Sequence, residues 1–548
     1  MSAVGKNRIT PSGRPDSRDE MINLFVFMCT CIAALSAFNN GFNTGAPNTP
    51  ALAIKNCDPK DIGKTFGCIS MTDWIWGIAV GGFALGGAAG GLIAAPSTNR
   101  FGRRLVLAGA NFAYIIGGIL VALATGIAQM LIGRLFLGVG AGIGSVVAPL
   151  YLSEVASVKA RGALGTVYQL STTLGILITT GIGIPMANNP GWRYLFGITI
   201  PIAMIQLAIL PFVVETPRWL VAKNHLKEAK DSLQKLRPGK DIDAEYREII
   251  EGQLARAGQN SASIESVDNI DKLENGEIHI EPEKTMSLTQ VAKSQFRRML
   301  VVAILLHACQ QLSGINGIMY YSTTLFTDAY GLDKARRLVV GVQGVNLLLT
   351  VISVFLIDRL GRKFLLIVSL AGMSASSLLM VIASYVKVSF LIVLAVNLFV
   401  AFFAVGLGPI PWLILPELFP TKAAGAATSA AIAVNWFCNF LIGFFFASMQ
   451  RSWKSATFLF FMGFSLAGLF LVTLFLPETK GRTLAEIQQE EDVRRTTSQS
   501  FSRRHSSMFR NTMSGLSMRR SSGIGRSNSM RRDLHTLSNS GGGIEVAS

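Results

Sequence analysis

Asn99-Arg100-Phe101-Gly102-Arg103-Arg104 returns 259 residues later as Asp358-Arg359-Leu360-Gly361-Arg362-Lys363, with apolar sequence on both sides of each copy. Two further segments repeat at nearly the same offset. Tyr151-Leu152-Ser153-Glu154 answers to Ile414-Leu415-Pro416-Glu417, and Glu215-Thr216-Pro217 to Glu478-Thr479-Lys480, each 263 residues apart. One basic cluster beside one apolar run is an ordinary flank of a membrane helix. Three matched signatures at an almost constant offset instead imply two halves of the same topology, related by an axis along the membrane normal.

The composition around these segments agrees. Half of the 548 residues are hydrophobic, 15% are charged, and the mean hydropathy is positive. A soluble chain of this length would carry about 25% charged residues. The charge is also badly mixed, concentrated in residues 1–20, about 216–298 and 477–548. Its excess of +17 therefore belongs to membrane flanks and a tail, and no nucleic-acid partner is implied. The first apolar stretch, from Met21, is too long for a signal-peptide core and has no small-residue cleavage site after it, so it reads as a span.

A helix needs about 20 apolar residues to cross the hydrocarbon. At that length candidate spans fall near 22–46, 73–97, 104–126, 127–150, 163–187, 193–214, 298–327, 336–358, 363–386, 389–414, 425–449 and 453–476. The expected fold is an all-α membrane protein of twelve transmembrane helices in two pseudo-symmetric six-helix bundles. The expected organisation is a leader (1–21), an N-terminal bundle (22–214), a linker with short helices (215–297), a C-terminal bundle (298–476) and a Ser/Arg-rich tail (477–548). Of the 50 Lys and Arg residues, 39 fall on the side of the termini and linker, ten on the opposite side, and Arg134 inside a helix. That asymmetry predicts cytosolic termini.

The basic and acidic residues of the duplicated segments stand at helix ends, where they would bridge neighbouring helices as a gate latch. The set is Arg100, Arg103, Arg104, Glu154, Arg161, Glu215, Arg218, Asp358, Arg359, Arg362, Glu417 and Glu478. In the linker, Thr216 is positioned to cap a helix that Pro217 opens. Glycine-rich runs at Gly81–Gly91 and Gly138–Gly144 lack the preceding strand that a nucleotide-binding loop requires and read as close helix-packing faces. Cys29, Cys31, Cys309 and Cys438 sit in apolar runs as packing residues; for Cys57 and Cys68, in a polar loop, a disulfide and two free thiols both stay open. No nucleophile–base pair or metal-ligand cluster emerges, and the chain is expected to be neither an enzyme nor a cofactor protein.

These signatures, in this order, resemble the sugar porter family of the major facilitator superfamily over about residues 22–485. The resemblance includes Gly133-Arg134, Arg161-Gly162-Ala163-Leu164-Gly165, Glu215-Thr216-Pro217-Arg218-Trp219, Gln310-Gln311-Leu312-Ser313-Gly314-Ile315-Asn316, Gly408-Pro409-Ile410-Pro411-Trp412 and Pro477-Glu478-Thr479-Lys480-Gly481. It implies a monosaccharide carrier, in the plasma membrane, working by alternating access around one central site. Matching positions would place Gln169, Gln310, Gln311, Asn316, Asn346 and Trp412 around the sugar, with Asn435 and Asn439 as site or near-site groups.

The chemistry of those residues points the same way without the family. A pyranose presents hydroxyls that both donate and accept, and carboxamides offer both functions without charge. At apolar helix positions such groups are costly unless satisfied, either by substrate or by interhelical hydrogen bonds. Trp412 would present a flat apolar face to the sugar, in a helix broken by Pro409 and Pro411. Gly314 and Gly317 suggest a second break beside the Gln pair.

Proton-coupled sugar porters carry an Asp in the first span near the arginine of the fourth; here Asn43 stands at that position beside Arg134. No Asp or Glu falls in the middle of a span, and His307 reads more readily as packed than as a relay. The expectation is facilitated diffusion of glucose or another hexose. The alternatives are a proton-coupled hexose, pentose or polyol symporter and a non-transporting sugar sensor. Ala404 replaces a Glu, and Ala424 an Arg, that family members carry, which leaves substrate preference open and thins the second latch. Arg503-Arg504-His505-Ser506 and Arg519-Arg520-Ser521-Ser522 in the tail fit a basophilic-kinase pattern, so a cytosolic kinase is a candidate partner; the alternative is a solvated basic tail drawn to the inner leaflet.

Overall fold

A computed structural model describes residues 22–55, 69–157, 160–257, 286–480 and 486. Cys57, Cys68, the leader before residue 22 and the kinase-like tail segments lie outside the described residues, as do the side chains of Arg161 and Asp358.

Ten stretches are long and apolar enough to cross a membrane. One of them, Lys422–Phe475, turns back on itself between Trp453 and Thr457 and supplies two helices. The remaining one is Arg161–Gly183, whose Thr and Gln content lowers its hydropathy but which packs lengthwise on the first span. The fold is thus all-α, with twelve membrane helices in two six-helix bundles. The first bundle holds Leu24–Gly45, Asp73–Phe101, Arg103–Ala122, Ile127–Val155, Arg161–Gly183 and Gly191–Phe212. The second holds Arg297–Tyr330, Leu332–Leu360, Arg362–Val386, Ser389–Leu418, Thr421–Trp453 and Thr457–Phe475. Large side chains on the outer faces, such as Phe212, Phe355, Phe390 and Phe470, are exposed, as helices facing lipid require. Short helices at Pro217–Ala222, Leu226–Leu236 and Asp243–Ala257 bury Leu220, Leu233, Tyr246 and Ile250 in a small core of their own.

The glycine runs bring the second and fourth spans into backbone contact. A Cβ on Gly138 would collide with the carbonyl of Phe83, and one on Gly142 with that of Gly87. Other glycines of the second span, such as Gly87 and Gly91, face Trp436 and Ile432 of the eleventh span, so one small-residue helix serves both halves.

The duplicated segments build the same corner twice, though not as plain salt bridges. The Glu215 carboxylate accepts from the backbone N–H groups of Arg103 and Arg104 at 3.1 and 3.0 Å. Glu478 does the same for Arg362 and Lys363, at 3.0 and 3.1 Å. Each glutamate is therefore an N-cap delivered from elsewhere in the chain to the helix after the turn. The turn itself needs glycine: Gly102 and Gly361 have φ of +86° and +92°, and a Cβ would press on the capping carboxylate. The arginine one residue on closes the corner. Arg103 pairs with both oxygens of Glu154 (2.9 and 2.8 Å), and Arg362 with Glu417 (3.1 Å).

The expected bridges between neighbouring helices take this form at the linker end. Among the described residues, the ion pairs at the linker end all lie within one half or within the linker. Arg100, Arg218 and Arg359 pair with no carboxylate there; Arg100 lies over the Phe101 ring instead, 5.1 Å from its centroid. Arg104 donates to the carbonyl of Pro211. Thr216 occupies the N-cap position, but its hydroxyl makes no capping bond.

Polar contacts do cross the halves at the opposite, distal end. Asp73 at the start of the second span meets Lys55 of its own half and Arg451 from the end of the eleventh span. Asn48, just past the first span and 1% exposed, donates to the carbonyl of Met319 (2.7 Å) and the hydroxyl of Ser322 (2.8 Å). Its carbonyl oxygen accepts from the N–H of Thr323 (3.1 Å). Its carboxamide thus bridges the C=O and N–H that an α-helix pairs four residues apart, holding the second segment of the seventh span against the first half.

Two outcomes follow. Glu215→Ala and Glu478→Ala each strand two helix N–H groups and should each cost about 1 kcal/mol, read as a lower unfolding midpoint in detergent. Asn48→Ala should weaken distal closure, so that a cysteine at Ile176 in a cysteine-free background reacts severalfold faster with a water-soluble thiol reagent.

A carboxamide-lined cavity between the halves

All eight residues expected around the substrate border one cavity of about 90 Å³ between the bundles. That is well above the ~15 Å³ needed to hold one water molecule. The seventh span is interrupted after Leu312, where Gly314 takes φ +93°, and resumes at Ile315. Gly317, by contrast, is helical and packs against the Phe446 ring. The tenth span is interrupted by a π turn over Phe403–Leu407 and resumes as Ile410–Leu418.

The first break sets Gln310 and Gln311 at a helix end, facing Asn316 across the gap. Gln310 spends both amide hydrogens on the carbonyls of Leu407 and Gly408 (2.7 and 2.9 Å) at the second break. Its oxygen accepts from Asn435 at 2.7 Å. Gln311 donates to Asn435 at 3.0 Å, and Asn316 donates to Gln311. Asn439 accepts from the Tyr320 hydroxyl at 3.0 Å. Gln310 is therefore mainly a strut between the two broken helices in this arrangement, and the other carboxamides keep valences to spare. Gln169 is only partly buried and makes no side-chain hydrogen bond among the described residues. Asn346 is 2% exposed and its carbonyl oxygen has no partner.

Trp412 lies in the resumed tenth span with its ring edge-on to His307, 5.2 Å between centroids. His307 is fully buried and donates from Nε2 to the Pro411 carbonyl at 3.1 Å. It stands behind the indole, holding the turn, rather than in the cavity wall.

In the first half the sequence points to Gln169 alone, but the cavity draws on more of it. Asn40, Thr44, Tyr168, Thr172, Thr173 and Ile176 line it as well. Residues 169, 172, 173 and 176 recur at helical spacing, so the fifth span's polar face was legible around Gln169. Asn40 and Tyr168 carried no such signal.

No Asp, Glu, Lys, Arg or His borders the cavity among the described residues. Arg134 lies away from it and is 1% exposed. It donates to the carbonyls of Asn43 (3.2 Å), Ala79 (3.0 Å) and Val80 (3.4 Å) and faces the rings of Phe83 and Phe196. Carbonyl dipoles and aromatic faces, not a carboxylate, thus satisfy this cation among the described residues. Asn43 donates to the carbonyl of Asn39 and accepts from Thr199.

Residues 28–490 match the family described as sugar (and other) transporter. Facilitated glucose transporter member 3 of solute carrier family 2 from Canis lupus familiaris is 33% identical over 483 residues, 85% of this chain and 92% of the relative. Its counterpart from Homo sapiens is 32% identical over 499 residues, 88% and 93% of the two chains. Among solved structures, the xylose transporter XylE from E. coli in a partially occluded inward open conformation aligns with a TM-score of 0.68 at 24% identity. That alignment covers 84% of this chain and 100% of the other. The proton:xylose symporter XylE bound to 6-bromo-6-deoxy-D-glucose gives the same TM-score and identity, covering 85% and 98%. The solved structures speak to fold; the family match and the relatives, spanning most of both chains, place this chain in the sugar (and other) transporter family.

Proposed function

We propose that the chain carries a monosaccharide, glucose or a similar hexose, down its gradient across the plasma membrane by alternating access. The observation that carries this reading is the cavity wall: carboxamides, hydroxyls and an indole, with no acid or base among the described residues. Such a wall suits a neutral solute covered in hydroxyls and gives an ionic one no countercharge. The relatives' names as facilitated glucose transporters support the same substrate class. The Lys and Arg asymmetry supports a cytosolic linker end, which makes the closed distal end extracellular and the described state inward-facing. On this reading the basic, serine-rich tail is cytosolic, within reach of a kinase.

The residues expected to form the site then divide the work. Gln310 and Asn435 hold the broken helices, while Gln169, Gln311, Asn316, Asn346, Asn439 and Trp412 meet the sugar. The gate set acts through the two corners. Arg103 with Glu154 and Arg362 with Glu417 stiffen each half so that the halves rock as units.

Downhill transport rests on Asn43 and Arg134. With an amide near the buried guanidinium, this pair has no proton to exchange. Radiolabelled glucose uptake in transporter-null cells or vesicles should be saturable, competed by hexoses, and equal with or without an uncoupler. Accumulation above the external concentration that collapses with the uncoupler would overturn the reading. Asn43→Asp brings a carboxylate beside Arg134, and uptake by this variant should acquire a dependence on external pH that the parent lacks.

A further inference from the structure

We propose that Asn40 of the first span is a specificity-determining ligand of the sugar, accepting a hydrogen bond from one substrate hydroxyl, with Tyr168 as its positioning residue. This rests on the monosaccharide reading above and goes further by naming a second ligand in the first half, beside Gln169, and the polarity of its contact.

Asn40 borders the cavity and is 7% exposed. Its amide nitrogen donates to the Tyr168 hydroxyl at 3.1 Å, which holds the carboxamide with its oxygen turned away from that hydroxyl. The carbonyl oxygen is buried and has no hydrogen-bond partner. The backbone beneath is fixed as well, because the Thr44 hydroxyl donates to the Asn40 carbonyl at 2.9 Å. A carboxamide oxygen is an acceptor only, so the group that completes it must bring a donor. Buried acceptors are rarely left unpaired, and an unpaired one on a cavity wall marks where a ligand's donor belongs. The only donors a neutral monosaccharide offers are its hydroxyls.

Two features make the position selective rather than merely sticky. Tyr168 is itself 4% exposed, and its ring lies 6.1 Å from that of Trp412 in the other half, so the positioning residue is packed by both halves. The second unpaired buried acceptor on the wall, the Asn346 carbonyl oxygen, comes from the opposite bundle. One hydroxyl would therefore be read from each half, and only a sugar that engages both would bring the halves together.

The experiment is a competition panel of glucose analogues in which each hydroxyl in turn is replaced by hydrogen or by fluorine. A fluorine cannot donate, so the hydroxyl that Asn40 reads should fail under both replacements. In the parent protein each should raise the inhibition constant at that position about tenfold, the worth of one hydrogen bond. In Asn40→Leu the penalty at that one position should fall below about twofold, the other positions should keep theirs, and KM for glucose should rise with kcat little changed. Tyr168→Phe, which removes only the positioning hydroxyl, should weaken discrimination at the same position, and it carries the test if the leucine variant does not reach the membrane. An unchanged pattern, or one lowered equally at every position in protein that reaches the surface, overturns the assignment. If the parent takes up no monosaccharide at all, the functional reading itself fails, and the panel shows this before any variant is made.

Discussion

The Leu407 carbonyl would ordinarily pair with the N–H of residue 411, but residue 411 is proline and has none. In the membrane interior an unpaired carbonyl is costly, and no bulk water is at hand to relieve it. Gln310 meets this need, donating to Leu407 and Gly408 from the broken end of the seventh span. The site depends on that exchange. It couples two interrupted helices, sets Gln311, Asn316 and Trp412 around one space, and is in turn held by Asn435. A carboxamide that looks like a sugar ligand in the sequence thus works first as the support that places its neighbours around the cavity.

The two halves repeat one another most closely where nothing binds. Glutamates 215 and 478 cap the helices after Gly102 and Gly361, and the following arginines engage Glu154 and Glu417. This corner solves a local problem, a tight turn between two membrane helices with their N–H groups exposed. The same solution serves both copies because the problem is the same. At the centre the copies diverge. The second half brings broken helices and most of the carboxamides; the first brings unbroken helices carrying Asn40, Tyr168 and Gln169.

The contacts across the halves match a carrier that must open and close. At the distal end the polar ones centre on Asn48 and on Asp73 with Arg451, beside the apolar contact of Trp74 with Phe444. Each such bond has a small net worth because water replaces it when the halves part. The groups within each half, Arg134 among its carbonyls and rings and the paired corners, are satisfied without reference to the other half. Rigid halves that pack along the glycine face of the second span, with polar distal contacts that water can replace, suit rocking about a central site.

Much of this was legible along the chain. Apolar runs, basic flanks and the offset of the repeats are properties of the sequence one residue at a time or at a fixed period, and they gave twelve spans, two halves and the carboxamides of the site. The breaks in the seventh and tenth spans were legible too, because glycine and proline limit the backbone wherever they stand. Hydrogen-bond partnership was not. Whether Glu215 bridges an arginine or caps a helix, whether Gln310 holds sugar or backbone, and whether the Asn40 carbonyl is paired all depend on which atom lies 3 Å away, across a hundred residues or more for Glu215 and Asn40. A carboxamide has the same capacity in every setting, and only the packing of the helices decides which part of it is left for a substrate.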